Sequence, residues 1–157
     1  MPRTARIVLP GIAHHITQRG NNKQVVFHDD EDRQKYLSLL THYTTRHGLR
    51  VVAYCLMVNH IHIVGVPREK DSLANAIGRT HFQYTVYSES RYHNSGHLWQ
   101  GRFYSCPMDE EHAINAIAYV ELNPVRAALV SRAWDYPWSS APAHCLSSAA
   151  SPLLNLE

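Results

Sequence analysis

The chain predicts an α+β fold, because strand and helix signals follow one another in the order strand, helix, strand, strand, helix, strand. The predicted strands lie within 6–18 and at 50–57, 59–66 and 97–106, and the predicted helices at 29–47 and 71–92. This order is that of the ferredoxin-like βαββαβ sandwich, an antiparallel four-stranded sheet with two helices on one face. A chain of 157 residues fits one such domain with its own core.

Local signals support the two sandwich helices. Acidic residues at 29–32 provide N-cap candidates for the first helix, in which Tyr36, Leu37 and Leu40 recur at helical spacing. Gly48 is placed to end this helix. Asp71-Ser72 open the second helix, which runs to about residue 92 before a polar loop. Two strands fit between these helices, joined tightly near residue 58.

A third helix is predicted after the fourth strand, over about 109–122, with Asp109 at its start. Asn123-Pro124 then interrupts the pattern and begins a short helix, with Asn as the N-cap and Pro at the first helical position. The region after 133 is rich in Ala, Ser and Pro and is expected to be irregular, fraying beyond His144. We therefore expect one catalytic domain at 1–144 and an irregular tail at 145–157.

The composition is that of a soluble globular protein, with 45% apolar and 18% charged residues and a formal net charge of +2. The small positive charge is only a mild indication of anionic partners. Three widely spaced cysteines, Cys55, Cys106 and Cys145, form no C-x-x-C motif and indicate reduced thiols. Because no leader or membrane-length apolar segment is visible, we expect a cytoplasmic protein without a membrane partner.

Two histidines, His60 and His62, stand in the middle of the third predicted strand. Side chains at i and i+2 of a strand point to the same face, so both imidazoles project together while Ile61 and Ile63 project to the other side. Two metal-ligand side chains on one rigid, otherwise apolar element favour a metal site. Local hydrogen bonding of the two rings is the simpler alternative for this pair.

The third helix carries polar residues that could complete such a site. Projected at about 100° per residue, Tyr119 and Asn123 fall on one face together with His112. The apolar stripe is predicted to comprise Ile114, Ile117, Ala118, Leu122 and Val125, with Glu121 unexplained inside it. If the tyrosine face leans over the sheet, a phenol and an amide oxygen meet the two imidazoles.

Four segments in this order carry a resemblance to a known family. They are His15-Ile16-Thr17-Gln18-Arg19-Gly20-Asn21-Asn22, Asn59-His60-Ile61-His62, Leu98-Trp99-Gln100-Gly101-Arg102-Phe103-Tyr104 and Tyr119-Val120-Glu121-Leu122-Asn123-Pro124-Val125-Arg126-Ala127. The chain resembles the HUH single-tyrosine, IS200-like transposases, and more closely the REP-associated tyrosine transposases of bacteria. The resemblance extends from about residue 8 to residue 144.

The resemblance implies a metal-dependent endonuclease and strand transferase for single-stranded DNA, acting on hairpins in DNA transposition or REP-element mobility. It implies that His60, His62 and Asn123 bind one Mg²⁺ or Mn²⁺ ion and that Tyr119 is the nucleophile. The expected intermediate is a 5′-phosphotyrosine with a free 3′-OH, and no small-molecule substrate is expected. Asn123 has a second interpretation as a helix cap, and Tyr104 is the main competitor of Tyr119.

Further residues are candidates for supporting roles. Only one of His14 and His15 can face the metal, and we take His15 as the residue that orients a ligand; core or surface packing is the alternative for both. Cations neutralise phosphates and aromatic rings stack on unpaired bases. On this basis the candidate DNA contacts are Arg19, Asn21, Asn22, Lys23, Arg79, Trp99, Arg102 and Arg126.

Two other functions remain open at this stage. A domesticated relative could grip DNA hairpins without cutting them, although it would have no need to keep the histidines and the tyrosine. A ferredoxin-like RNA-processing protein would use acid–base chemistry without a metal, and the tyrosine on a helix disfavours it. Both a monomer and a homodimer are compatible with the sequence.

Overall fold

The computed structural model describes residues 4–154, which form a four-stranded antiparallel sheet with helices on both faces. The strands are β1 His14–Arg19, β2 Leu49–Leu56, β3 His60–Pro67 and β4 Tyr104–Pro107. The α-helices are α1 Asp30–Arg46, α2 Ser72–Tyr92, α3 Glu110–Glu121, α4 Asn123–Arg126 and α5 Ala141–Cys145, with 3-10 turns at Asn21–Lys23 and Ala133–Asp135. The sheet order is β2-β3-β1-β4, which confirms the predicted ferredoxin-like fold.

Both faces of the sheet are covered, and the central strand β3 is mostly apolar, whereas Ile16 is the one apolar residue of the other central strand, β1. On one face, Ile61 and Ile63 of β3 pack under α1 and α2 against Tyr36, Leu40 and Ile77. On the other face, the sheet meets α3 and the segment that follows it. Val120 is the buried residue of α3 in this second layer, and it joins a smaller cluster of Ala53, Cys55 and Val64. The site described below lies in the second layer.

Helix ends follow the predicted signals. The Asp29 carboxylate accepts a hydrogen bond from the Asp32 amide (3.0 Å) at the start of α1, and Asp109 accepts one from the His112 amide (2.8 Å) at the start of α3. Gly48 follows α1 with φ +64°, a conformation that costs glycine little. Within residues 4–154, no helix has the length and apolar character needed to cross a bilayer.

The fourth strand is much shorter than predicted, because only Tyr104–Pro107 pairs with β1. Residues 97–103 instead run past the end of β1, where the Asn21 amide donates to the Leu98 carbonyl (2.8 Å) and the Gln100 amide donates to the Arg19 carbonyl (2.9 Å). Gly101 then turns the chain with φ +63°. A left-handed residue at this position is incompatible with a continuous strand, so the prediction of a strand over 97–106 was wrong.

The C-terminal segment packs against the sheet within the described range. Residues 146–154 contain no helix, but Leu153 and Leu154 are buried in the main core, and Leu154 forms a bridge with Val51 of β2. Two leucines near the end of the chain therefore cover the edge of the sheet at β2. Residues 155–157 of the predicted tail lie outside the described residues.

Stability should depend on pH through His81, which is enclosed between the helices and the Trp99 ring at a centroid distance of 4.5 Å. Its Nε2 atom lies 2.9 Å from the Tyr36 hydroxyl. Burial lowers the pKa of His81 from 6.5 to about 3. Between these two values the unfolded chain takes up a proton that the folded chain does not. The free energy of unfolding should therefore fall as the pH is lowered from 6.5, by up to about 1.4 kcal/mol per pH unit for this residue.

Denaturant unfolding at pH 7.5, 6.0 and 5.0 measures this contribution. His81→Phe should show a shallower decline, smaller by about one proton per molecule. The exposed His42→Phe is the control and should keep the wild-type slope. Equal slopes for wild type and His81→Phe would contradict the assignment.

Candidate active site

The two histidines of β3 lie side by side on the face that meets α3. Their ring centroids are 5.1 Å apart and nearly perpendicular. The Nδ1 atom of His60 lies 2.7 Å from the Asn59 side-chain oxygen, and the Nδ1 atom of His62 lies 3.1 Å from Nε2 of His15. These contacts occupy Nδ1 of each ring and leave both Nε2 atoms free of hydrogen bonds to the described residues, which is the arrangement a ligand needs.

The environment keeps these imidazoles neutral. Burial lowers the pKa of His62 to about 3. Electrostatic repulsion between a protonated His62 and His60, His15 or Arg126 acts in the same direction. Burial also lowers the pKa of His60, with a further contribution from Arg19, and burial lowers the pKa of His15. A neutral imidazole has a lone pair to offer a metal without first losing a proton.

The pairing of β1 with β3 explains the position of His15. Thr17 stands opposite His62 and His15 opposite Val64, so His15 and His62 are diagonal neighbours on one face of the sheet. His14 points to the other face, where it is fully buried, donates from Nδ1 to the Ile12 carbonyl (2.8 Å) and accepts from the Leu9 amide (3.2 Å). The structure thus places His15 against a candidate ligand and His14 in the core.

Tyr119 extends from α3 toward this cluster. Its ring centroid lies 5.7 Å from that of His62 and 6.2 Å from that of His15, edge to face in both cases. The guanidinium carbon of Arg126 is 3.9 Å from the Tyr119 ring centroid, and Nη2 of Arg126 donates to the Tyr119 carbonyl (3.1 Å). The Tyr119 side chain is half exposed, so its hydroxyl remains accessible from solvent.

The apolar stripe predicted for α3 was wrong for three of its five members, whereas Ile117 and Val125 are partly buried. Ile114 and Leu122 are exposed (67% and 46%), and Ala118 is exposed as well. The face that packs on the sheet instead contains Val120, with Ala116 and Ile117 at its margin. The small side chains of Ala53, Cys55 and Val64 leave room for α3 at this point, so the helix approaches with its smaller apolar residues. A prediction from hydrophobicity alone buries Ile114 and Leu122, although these two side chains are exposed in the structure.

Asn123 follows Tyr119 by one helical turn. Leu122 joins α3 to α4 with helical angles (φ −84°, ψ −5°), so Tyr119 and Asn123 stay at i and i+4 on one side. The predicted N-cap role of Asn123 was wrong, because α4 starts at Asn123 itself and no side-chain cap bond forms. Its Nδ2 atom is buried without a hydrogen-bond partner among residues 4–154. The amide is thus not used for capping, and two imidazoles with an amide oxygen fit a divalent cation that keeps further positions open.

No group of three or more His, Cys, Asp or Glu side chains within residues 4–154 could hold a metal on its own. A metal bound at this site would therefore need an amide or exogenous oxygen in addition to the histidines. Asn123 as the third ligand stays a prediction.

Two hollows flank the site, one on each side of Tyr104. A cleft of about 400 Å³ is lined by His60 and His62 together with Arg19 and Arg102. A groove of about 790 Å³ between β4 and α3 is lined by His15 and Tyr119, and Tyr104 borders both. Tyr104 is 62% exposed on the edge strand. From the sequence, Tyr104 is a rival nucleophile or an aromatic that packs or stacks on a base, and its position between two hollows could not be inferred without the sheet register.

The predicted DNA contacts separate into groups. Arg19 and Arg102 line the cleft, and Arg19 is held by two hydrogen bonds to the Gln100 side-chain oxygen (3.2 and 3.0 Å). Asn21 borders a further groove next to Arg102. Asn22 and Lys23 are exposed in a tight turn with φ +52° and +60°. Two consecutive non-glycine residues in the left-handed region are strained, and such strain is concentrated at functional loops.

Two of the predicted DNA contacts lie elsewhere. Trp99 is buried (8% exposed), stacks on His81 and lies against Tyr36 and Tyr84 in the core. Its prediction as a base-stacking residue is therefore corrected, because the ring faces are covered by protein. Arg79 is exposed on α2, on the opposite side of the sheet from the histidines.

Comparisons with known proteins agree with this architecture. The family model described as "Transposase IS200 like" matches residues 9–123. A candidate REP-associated tyrosine transposase of Haemophilus influenzae is 28% identical over 123 residues, which cover 71% of this chain and 67% of that protein.

Two solved structures share the fold. The structure of a REP-associated tyrosine transposase bound to a REP hairpin has a TM-score of 0.78 at 16% identity, covering 100% of this chain and 93% of that one. A candidate transposase from Deinococcus radiodurans has a TM-score of 0.52 at 18% identity, covering 76% of this chain and 95% of that one. The family match spans more than half of the chain and includes the histidine strand and the tyrosine helix, so this protein belongs to the IS200-like transposase family.

Proposed function

We propose that this transposase is a metal-dependent endonuclease and strand transferase that cuts single-stranded DNA next to a hairpin through Tyr119. The observation that supports this most strongly is the meeting of two elements within one chain. The Tyr119 ring lies 5.7 Å from the ring of His62, although the two residues are separated by 57 positions in sequence and belong to different layers. A pair of neutral imidazoles, one buried and one half-buried, beside a half-exposed phenol is a combination that phosphoryl transfer can use.

In the proposed reaction, Tyr119 acts as a nucleophile. Its phenol passes a proton to solvent water, and the oxygen attacks the scissile phosphorus in line with the departing 3′-oxygen. The P–O bond to that oxygen breaks, and the oxygen takes up a proton to become a free 3′-OH, while the 5′-phosphate stays attached to Tyr119. The Arg126 guanidinium, 3.9 Å from the ring centroid and bonded to the Tyr119 carbonyl, helps to hold the ring beside the histidines.

The histidines and Asn123 are the proposed ligands of a divalent cation, Mg²⁺ or Mn²⁺. When bound, such an ion polarises the scissile phosphate and offsets the charge that develops during transfer. His60 and His62 present their Nε2 atoms, and His15 holds the His62 ring by its Nδ1 atom. Arg19 and Arg102 border the same cleft and would neutralise the phosphates of the bound strand.

Strand transfer follows from the energy retained in the phosphotyrosine. A phosphodiester is exchanged for another phosphodiester, so a different 3′-OH can attack the intermediate and release Tyr119 without an external energy source. The hairpin enters this proposal from the relative that was solved with a REP hairpin. The strained Asn22-Lys23 turn and the exposed cations beside the cleft are consistent with contact to folded single strands.

A denaturing gel tests the nucleophile. Wild-type protein mixed with a labelled hairpin oligonucleotide from the DNA flanking its gene, in Mn²⁺, should give a covalent protein–DNA band. Tyr119→Phe should abolish this band because the attacking oxygen is lost, whereas Tyr104→Phe, the matched control on β4, should retain it. An undiminished band in Tyr119→Phe would falsify the assignment of the nucleophile.

Calorimetric titration with Mn²⁺ in the absence of DNA tests the ligands. His60→Ala should lose binding of the ion, and His15→Ala should weaken it by about 10- to 100-fold because the His62 ring is no longer oriented. His14→Gln is the control, because it changes a histidine of β1 that points to the opposite face of the sheet. It should leave the affinity for Mn²⁺ close to that of the wild type. Wild-type affinity in His60→Ala would show that the ion binds elsewhere.

The two other functions predict different outcomes of the same assays. A hairpin-binding module would bind the oligonucleotide and yield no band with any divalent metal. An RNA-processing protein would cleave RNA in EDTA. The contact between Tyr119 and the histidine cluster favours the transferase over both.

A further inference from the structure

We infer that Glu121 is a positioning residue for Tyr119: by its hydrogen bonds to Ser140 and His144 it sets the rotation of α3 about its axis. This inference rests on the proposed role of Tyr119. Glu121 lies within the predicted apolar stripe of α3, where the sequence offered no reason for a carboxylate. The structure supplies one, because two side chains from the segment after α4 converge on it.

The contacts of Glu121 are directional and largely shielded from water. The Ser140 hydroxyl donates to Oε1 of Glu121 (2.5 Å), and Nδ1 of His144 contacts the same oxygen. The Glu121 side chain is 12% exposed, the His144 side chain 24%, and Ser140 is fully buried. A carboxylate in such a place is costly unless it is hydrogen-bonded, so these two partners are needed for the helix to dock in this orientation.

The anchor continues into the sheet. The Ser140 oxygen accepts from the Tyr54 amide (3.0 Å), and the Ser140 amide donates to the Tyr54 carbonyl (2.9 Å). Ser139 forms a bridge with Cys55 on the same strand. Since β2 pairs with β3, the chain of contacts runs from Glu121 through Ser140 and β2 to the strand that carries His60 and His62.

Apolar packing alone fixes α3 weakly. Val120 is its single fully buried residue, and its large side chains Ile114 and Leu122 are exposed. A helix whose apolar contacts are one buried valine and the partly buried Ala116 and Ile117 can rotate at little cost in buried area. A hydrogen-bonded carboxylate adds the directional constraint that the apolar contact lacks.

The position of Glu121 along the helix makes this constraint effective. It lies two residues after Tyr119 and two before Asn123, hence roughly on the opposite side of the helix from both. A rotation of α3 by about 20° would move a phenol oxygen about 8 Å from the axis by about 3 Å. Misplacement by about 1 Å can lower a rate by about 100-fold, so small rotations matter.

Single-turnover kinetics at saturating hairpin DNA and Mn²⁺ test this role. Glu121→Ala should lower the rate constant of adduct formation by about 10- to 100-fold, while the dissociation constant for the hairpin changes less than about twofold. Glu121→Gln retains an acceptor oxygen and should recover most of the rate. Glu111→Ala, which removes an exposed carboxylate from the same helix, is the matched control and should react as wild type.

The amplitude of the reaction separates positioning from folding. If Glu121 served stability only, Glu121→Ala would lower the melting temperature and the fraction of protein that reacts, and the molecules that react would do so at the wild-type rate. This result, or an unchanged rate constant at full amplitude, would overturn the inference. Ser140→Ala should reproduce part of the rate loss, and its combination with Glu121→Ala should be less than additive because both remove the same contact.

A measurement without DNA or metal keeps this inference separate from the proposed function. The ¹⁹F resonance of 3-fluorotyrosine at position 119 senses the rings of His62 and His15, which lie 5.7 and 6.2 Å away. Glu121→Ala should shift or broaden this resonance, and Glu111→Ala should leave it in place. If Glu121→Ala shifts the resonance but the wild-type protein forms no adduct, the proposed chemistry is wrong and the positioning role of Glu121 stands. If Glu121→Ala leaves the resonance unshifted, the positioning role is wrong.

Discussion

The antiparallel pairing of β1 with β3 is the constraint on which the site depends. It sets Thr17 opposite His62 and Arg19 opposite His60, which brings His15 to Nδ1 of His62 and the Arg19 cation to the cleft. A shift of β1 by one residue would turn His15, Thr17 and Arg19 toward α1 and α2. It would also move Ile16 and Gln18 from that side of the sheet to the side of α3. The buried isoleucines of β1 and β3 oppose that shift, so the core that stabilises the sheet also orients the histidines.

The candidate site combines a strand inside the sheet, β3, with a helix that has few buried contacts, α3. The histidines lie on a central strand with neighbours on both sides, whereas Tyr119 lies on a helix whose one fully buried residue is Val120. Directional contacts therefore matter more for α3 than for β3. The proposed strand transfer would require the phosphotyrosine to meet a new 3′-OH, and a helix held by a few polar contacts can be released more readily than a strand inside a sheet.

The sequence allowed much of this to be predicted, for identifiable reasons. The element order, the shared face of His60 and His62, and the i and i+4 placement of Tyr119 and Asn123 follow from local periodicity and were sufficient for the fold. The orientation of α3, the burial of Trp99 and the short β4 depend on contacts between segments far apart in the chain. Glu121 shows the limit most clearly: its partner Ser140 is 19 residues away, and periodicity carries no information about that contact.

One chain is expected to assemble the whole site, since the Tyr119 ring lies 5.7 Å from the His62 ring of the same chain. The most direct test mixes His60→Ala protein with Tyr119→Phe protein, each inactive alone, and measures covalent adduct formation on hairpin DNA in Mn²⁺. Assembly within one chain predicts no adduct at any mixing ratio, because neither subunit holds both halves. Recovery of up to a quarter or half of the wild-type adduct would contradict the account and show that α3 of one chain serves the histidines of another.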